Sequence, residues 1–94
     1  MLSKFAIIQH MNSRHRKTLQ AIFSNPISGS IAFADIEALL IAVGAVLSEG
    51  RGSRIRFDFE NESVYFHRPH PGKEALRYRV ADAREFLKRI GVTP

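Results

Sequence analysis

Two histidines, His67 and His70, lie three residues apart in a segment rich in arginine. Histidine has an ordinary pKa of about 6.5, so its ring can both accept and donate a proton near neutral pH. RNA carries its own nucleophile, the 2′-hydroxyl group. Its cleavage without a metal therefore needs a base, an acid and cations around the phosphate. The two histidines, with the guanidinium groups of Arg54, Arg56 and Arg68 nearby in the sequence, meet these requirements.

Further residues suited to binding RNA lie in the same stretch of the chain. Arginine binds phosphate through two parallel hydrogen bonds, and the rings of tyrosine and histidine stack on unpaired bases. A solvated surface without function is the alternative interpretation of these side chains. The residues predicted on this basis to bind RNA are Arg51, Arg54, Arg56, Tyr65, Arg68 and Lys73.

The composition is that of one basic globular domain. The chain has 94 residues, of which 45% are hydrophobic and 24% charged, and these proportions exclude a largely disordered protein. No apolar run approaches the roughly 20 residues that span a bilayer, so we predict a cytoplasmic protein without a membrane partner. The lack of cysteine excludes a disulfide scaffold and a cysteine-type zinc site, and we predict no cofactor. The net charge of +5 favours a nucleic acid as partner.

The charge divides the chain unevenly. Residues 1–30, which we interpret as an N-terminal extension with one helix, carry four basic and no acidic side chains. Residues 31–94 are predicted to form the main domain, and its first part, residues 31–50, is acidic and least suited to face a polyanion. The apolar stretch after Lys4 is too short for a signal peptide. Met1 and Met11 are alternative starts, and the second would make the first ten residues a tail.

Hydrophobic periodicity predicts three helices. The first runs from Arg14 to Phe23, with Ser13 or alternatively Asn12 as its N-cap. Apolar residues at i, i+3, i+4 and i+7 predict a second helix, and Gly44 suits the C-terminal end of this helix. A last helix is closed by Gly91. The apolar stripes of the second and last helices are Ile36, Leu39, Leu40 and Val43, and Val80, Ala83, Leu87 and Ile90.

Alternating side chains between these helices predict three strands. A short strand at Val46 and Leu47 is followed by a hairpin that turns at residues 60 and 61. With a two-residue turn, Ile55 faces Phe66 and Phe57 faces Val64 in the core, while Arg54 lies beside His67 and Arg56 beside Tyr65 on the open face. A four-residue loop would instead pair Arg56 with His67. Residues 68–73 contain two prolines and are predicted to form an extended loop.

From about Ala34 to Val92, the chain resembles the HicA-type toxins of bacterial toxin–antitoxin pairs. The resemblance rests on Asp35-Ile36-Glu37-Ala38-Leu39-Leu40 with Gly44-Ala45, on Gly52-Ser53 opening a strand, on Arg68-Pro69-His70-Pro71-Gly72-Lys73-Glu74, and on Phe86-Leu87-Lys88-Arg89-Ile90-Gly91. It implies an α+β fold of the double-stranded-RNA-binding-domain type, α-β-β-β-α, here with an extra N-terminal helix and a three-stranded antiparallel sheet. It also implies mRNA cleavage and inhibition by a HicB-type antitoxin. Ser53 joins the predicted RNA-binding residues.

The chain departs from the pattern of that family at one position. Where the family usually reads Gly-Ser-His, with the histidine taken as catalytic, this chain reads Gly52-Ser53-Arg54. A guanidinium group stays protonated near neutral pH, so Arg54 cannot be a general base. His70 matches a second family element near the end of the third strand, and His67 lies close to it. We therefore predict His70 first, and His67 second, as the catalytic imidazole.

Three other interpretations remain open on the sequence. A non-catalytic RNA- or DNA-binding module of the same fold is the main one, because the usual histidine is missing. A metal site at His67-x-x-His70 would need at least one more ligand. The basic start of the first helix, Ser13 to Lys17, could belong to a helix-turn-helix element, since positive charge there opposes the helix dipole and indicates contact with a polyanion.

Overall fold

The computed structural model describes residues 11–94. The interpretation of residues 1–10 as a tail before a second start, and the rejection of a signal peptide there, lie outside the described residues. The elements follow in the predicted order, and they form an α+β fold with the arrangement α-β-β-β-α after one additional N-terminal helix. They are α1 (Ser13–Ile22), α2 (Phe33–Ala42), β1 (Val46–Glu49), β2 (Arg54–Phe59), β3 (Glu62–His67) and α3 (Arg77–Arg89).

The three strands form one antiparallel sheet in the order β1-β2-β3. In the β2–β3 hairpin, Ile55 lies opposite Phe66, and Phe57 lies opposite Val64. The last pair of the ladder joins Phe59 to Glu62, so two residues form the turn. This register confirms the two-residue alternative and excludes the four-residue loop.

One face of the sheet is buried and the other is open. The inward side chains of the hairpin belong to a single hydrophobic cluster that all three helices share. Phe66 packs edge-to-face on Phe33 of α2, with ring centroids 5.4 Å apart, and on Phe57 at 6.2 Å. The predicted helical stripes are buried in the same cluster, and the structure adds Phe86, which sequence periodicity did not identify. The left-handed φ angles of Gly44 (105°) and Gly91 (80°) confirm both predicted helix ends.

Helix α1 is capped by Asn12, which the sequence indicated as the alternative to Ser13. The side-chain oxygen Oδ1 of Asn12 accepts a hydrogen bond from the backbone N–H of His15 at 2.8 Å, whereas Ser13 is the first helical residue. Leu19 and Ile22 of α1 are buried in the common core. The division of the chain after residue 30 stays a prediction, and in the structure α1 packs on the elements that follow it.

An arginine of α3 fastens the C-terminal end of α1. Arg84 donates from Nε to the carbonyl oxygen of Ile22 at 2.9 Å and from Nη2 to that of Ser24 at 2.6 Å. Its guanidinium carbon also lies 5.7 Å from the ring centroid of Phe23. A cation at this end is favourable, because the last carbonyl groups of a helix lack partners and carry the negative end of its dipole.

Among residues 11–94, no helix has both the length and the apolar character needed to cross a bilayer.

We expect Phe57→Ala to lower the free energy of unfolding by about 3 to 5 kcal/mol, because the fully buried ring would leave a cavity at the centre of the core. Urea denaturation measures the change. Phe59→Ala on the same strand is the matched control and should cost less, since Phe59 is only partly buried. Equal stability of the Phe57 variant and the parent would mean that the strand faces are inverted.

We expect Arg84→Ala to lower the free energy of unfolding by about 1 to 3 kcal/mol, because it leaves carbonyl groups at the end of α1 without a charged donor. Hydrogen exchange should show faster exchange of the α1 amides. Lys88→Ala removes the same charge from an exposed pair with Glu85 on the same helix and should have little effect. Unchanged α1 protection in the Arg84 variant would contradict this role.

Candidate functional site

The open face of the β2–β3 hairpin carries two cross-strand pairs of functional side chains. Arg54 lies opposite His67, and Arg56 lies opposite Tyr65. Residues opposed in this way have Cβ atoms about 5 Å apart, so their side chains share the same space above the sheet. All four are exposed. Arg51 joins Arg54, Arg56 and Tyr65 around a cleft of about 390 Å³, so the structure brings together three of the five cations that the sequence predicted to bind RNA. Arg68 and Lys73 do not line this cleft.

The turn between β1 and β2 brings a hydroxyl group to the end of this face. Gly52 has a left-handed φ of 61°, which a side chain would disfavour, and the carbonyl oxygen of Ser53 accepts a 2.7 Å hydrogen bond from the N–H of Arg68. These contacts hold Ser53 beside the pair of Arg54 and His67, at the end of the hairpin away from its turn. Its Oγ lies 3.5 Å from Nδ1 of His67. The hydroxyl group and the imidazole ring therefore border one small volume at the end of the sheet.

His70 lies in the loop after β3, next to the same serine. A cleft of about 440 Å³ is lined by Ser53 and by the loop from Arg68 to Pro71, which includes His70. The loop is attached to the start of α2, because the carbonyl oxygen of Lys73 accepts a hydrogen bond from the N–H of Phe33. Ser53 thus contacts His67 of the strand and shares a cleft with His70 of the loop.

Arg68 is held by two carboxylates. Its Nε lies 2.7 Å from Oε1 of Glu37 on α2, and its Nη1 lies 2.8 Å from Oε1 of Glu49 on β1. Glu49 and then Glu37 raise the pKa of the guanidinium group above its ordinary value. Through these two ion pairs, Arg68 connects the loop after β3 to α2 and to β1. An RNA phosphate would have to compete with both carboxylates for Arg68.

Arg56 is also paired, but Arg54 is not. Nε of Arg56 lies 2.8 Å from Oδ2 of Asp58, and Tyr65 and Asp58 together raise the pKa of Arg56. The hydroxyl group of Ser63 donates to the other carboxylate oxygen of Asp58 at 2.5 Å, and this bond lowers the pKa of Asp58. No carboxylate within residues 11–94 pairs with Arg54. Arg54 is therefore the cation beside His67 that a phosphate could bind without displacing a partner.

A further cleft, of about 290 Å³, lies between β3 and the start of α3. Arg54, Tyr65 and His67 line it from the sheet, and α3 contributes three residues that sequence reasoning did not identify. Arg79 of α3 donates a hydrogen bond from Nη1 to the backbone oxygen of His67. The three residues of α3 are Tyr78, Arg79 and Asp82. Their spacing of i, i+1 and i+4 on the polar side of the last helix is the sequence signal that could have indicated a shared surface.

Among the described residues 11–94, no group of three or more histidine, aspartate or glutamate side chains is arranged to hold a metal ion. The imidazole ring of His67 lies beside the hydroxyl group of Ser53, and His70 lines the same cleft as that serine. The guanidinium group of Arg54, which has no carboxylate partner among residues 11–94, lies opposite His67. Such a site can bind a phosphate and exchange protons with groups attached to it.

Comparison with known proteins identifies the family. No curated protein and no solved structure matches the chain. A family profile described as HicA toxin of bacterial toxin-antitoxin matches residues 33–92, which is more than half of the chain and begins at the first residue of α2. The matched part contains the sheet, the loop with His70, and α3. The chain therefore belongs to the HicA toxin family of bacterial toxin–antitoxin systems.

Proposed function

We propose that the protein is the toxin of a type II toxin–antitoxin pair and that it cleaves mRNA as a metal-independent endoribonuclease through histidine acid–base chemistry. Membership of the HicA family supports the toxin role and an RNA substrate, because members are generally ribonucleases. The open face of the sheet supports binding of a polyanion, since it presents Arg51, Arg54 and Arg56 beside Tyr65.

The observation that carries the proposed chemistry is the pairing of Arg54 with His67 across the hairpin. The family resemblance puts the catalytic histidine at position 54, where this chain has arginine. The directly opposite position on β3 supplies an imidazole, about 5 Å away at the Cβ atoms. The imidazole ring of His67 thus reaches, from β3, the space that a histidine at position 54 would reach from β2. The guanidinium group of Arg54 lies beside this ring.

The proposed reaction uses the two histidines as base and acid. One imidazole takes the proton of the 2′-hydroxyl group while the 2′-oxygen attacks the adjacent phosphorus. The bond from phosphorus to the 5′-oxygen breaks, and the other imidazole donates a proton to that leaving oxygen. The products are a 2′,3′-cyclic phosphate and a 5′-hydroxyl end. Arg54 neutralises charge on the phosphate as the five-coordinate transition state forms. The phosphate would bind near Ser53, which contacts His67 and lines the cleft of His70.

The proposed protein partner is a HicB-type antitoxin with an acidic surface. The net charge of +5 favours such an inhibitor as well as RNA. An antitoxin that covers Arg51, Arg54 and Arg56 would compete directly with RNA for the same cations.

A non-catalytic RNA- or DNA-binding module of the same fold is the second candidate. It is favoured by one observation, the replacement of the usual catalytic histidine by Arg54, which cannot act as a base. Incubation with single-stranded RNA in EDTA separates the two functions, because only the proposed enzyme would convert the RNA to shorter products without a metal.

We expect Arg54→Ala to weaken RNA binding across sequences and to reduce the slope of log affinity against log salt concentration by about one unit, because one phosphate contact is lost. Fluorescence anisotropy at several salt concentrations measures both quantities. Lys88→Ala, with the same change of charge on the outer surface of α3, should leave the slope unchanged. Binding that does not depend on salt would refute the assignment of this face to phosphate.

We expect His67→Ala and His70→Ala each to reduce RNA cleavage in EDTA by about 10² to 10⁴, with RNA affinity changed by no more than a few fold, because each variant loses a proton-transfer group. His15→Ala on α1 removes an imidazole ring that lines none of the three clefts described around the sheet, and this control should cleave normally. Full cleavage by both single variants would eliminate the imidazole mechanism. Loss in only one of them would assign both proton transfers to that histidine and to solvent.

A further inference from the structure

The cleft between β3 and α3 contains groups that the proposed cleavage reaction does not use. Tyr65 and His67 line it from the sheet, and Tyr78, Arg79 and Asp82 line it from the first two turns of α3. Its volume of about 290 Å³ is large enough for a nucleobase, and it opens beside the proposed catalytic imidazole. The question is which ligand would need this combination of aromatic rings and a carboxylate.

Two tyrosine rings are exposed at this cleft. Tyr65 is 60% exposed and Tyr78 is 58% exposed, so both rings are accessible to a ligand. The guanidinium carbon of Arg79 lies 5.1 Å from the ring centroid of Tyr78, so the ring is supported on one side by a cation. Exposed aromatic rings on a basic surface provide planes on which unpaired bases stack.

Asp82 is the feature that phosphate binding does not explain. It lies one helical turn after Tyr78, and within residues 11–94 no ion pair or side-chain hydrogen bond engages its carboxylate. Arg79, three residues earlier, is suitably spaced to pair with it on a helix, but its guanidinium group donates to the backbone oxygen of His67 instead. A negative charge in a cleft beside an RNA-binding face repels phosphate, and it accepts hydrogen bonds without donating any.

We propose that this cleft binds one unstacked base of the RNA and selects guanine, with Tyr78 stacking on the ring and Asp82 forming hydrogen bonds with its edge. The inference rests on the proposed function. Guanine presents two adjacent donors on its Watson–Crick edge, N1–H and the N2 amino group, which match the two oxygens of one carboxylate. Adenine and cytosine present an amino group beside an acceptor nitrogen, and uracil presents N3–H between two carbonyl oxygens. A carboxylate therefore pairs fully with guanine alone.

The cleft is also joined to the proposed catalytic residue. Arg79 links α3 to the backbone of His67, and the side chain of His67 lines the cleft itself. A base held there would lie next to the phosphate bound between Arg54 and His67. The selected guanine would thus neighbour the bond that is cleaved, and the preference would appear in the position of cleavage as well as in affinity.

The test uses the full chain and 2′-O-methyl oligonucleotides of sequence UUUUNUUUU, in which N is each of the four bases. Methylation removes the nucleophile, so binding is measured by anisotropy without cleavage. We expect the guanine oligonucleotide to bind about tenfold more tightly than the one with uracil. Asp82→Asn should abolish this preference, because the amide keeps only one acceptor oxygen. Glu85→Gln, an equal change of charge on the same helix outside the cleft, should keep it.

A second variant tests the stacking component. We expect Tyr78→Ala to weaken binding of the guanine oligonucleotide several fold, whereas Tyr78→Phe should bind like the parent because the ring remains. Binding without base preference, or a preference that Asp82→Asn leaves unchanged, would overturn the guanine site while the proposed RNA-binding function stands. Absence of binding to every oligonucleotide would overturn both proposals.

Discussion

The β2–β3 hairpin is held in register by two buried cross-strand pairs, Ile55 with Phe66 and Phe57 with Val64. Since successive side chains of a strand point to opposite faces, a slip of one residue by either strand would move its two apolar groups into water. The same register fixes the open face, where Arg54 must lie opposite His67. The geometry of the proposed site is therefore a consequence of core packing on the other side of the sheet.

Several arginines stabilise the fold, so net charge overstates the surface available to RNA. Arg84 caps the end of α1, Arg68 connects a loop to two carboxylates, and Arg79 links α3 to β3. Each guanidinium group can donate in several directions, and it can therefore join elements that are distant in sequence. Arg51 and Arg54 form no such pair among the described residues. They are the cations of the open face that a phosphate could bind at the lowest cost.

The sequence predicted the elements and the open face of the sheet because these depend on local periodicity. Alternation across the hairpin was sufficient to place Arg54 beside His67 once a two-residue turn was assumed. The cleft that contains Asp82 could not be predicted, since it forms only where α3 packs beside β3. The contacts of Arg84 with the end of α1 join residues about 60 positions apart and have no local pattern. Hydrophobic periodicity therefore predicts the helices themselves but not how they pack on each other and on the sheet, because that packing depends on residues distant in sequence.

An antiparallel sheet explains how a family member could lose its usual histidine and keep the proposed chemistry. Positions 54 and 67 belong to different strands and are separated by 13 positions in sequence, yet the ladder makes them direct neighbours. A proton-transfer group on either strand reaches the same phosphate, because cross-strand Cβ atoms lie about 5 Å apart. The position not used for the imidazole can then carry a cation, as Arg54 does. Under the proposed mechanism, the pair of opposed positions carries the chemistry, and a sequence motif read along one strand contains only one of the two positions.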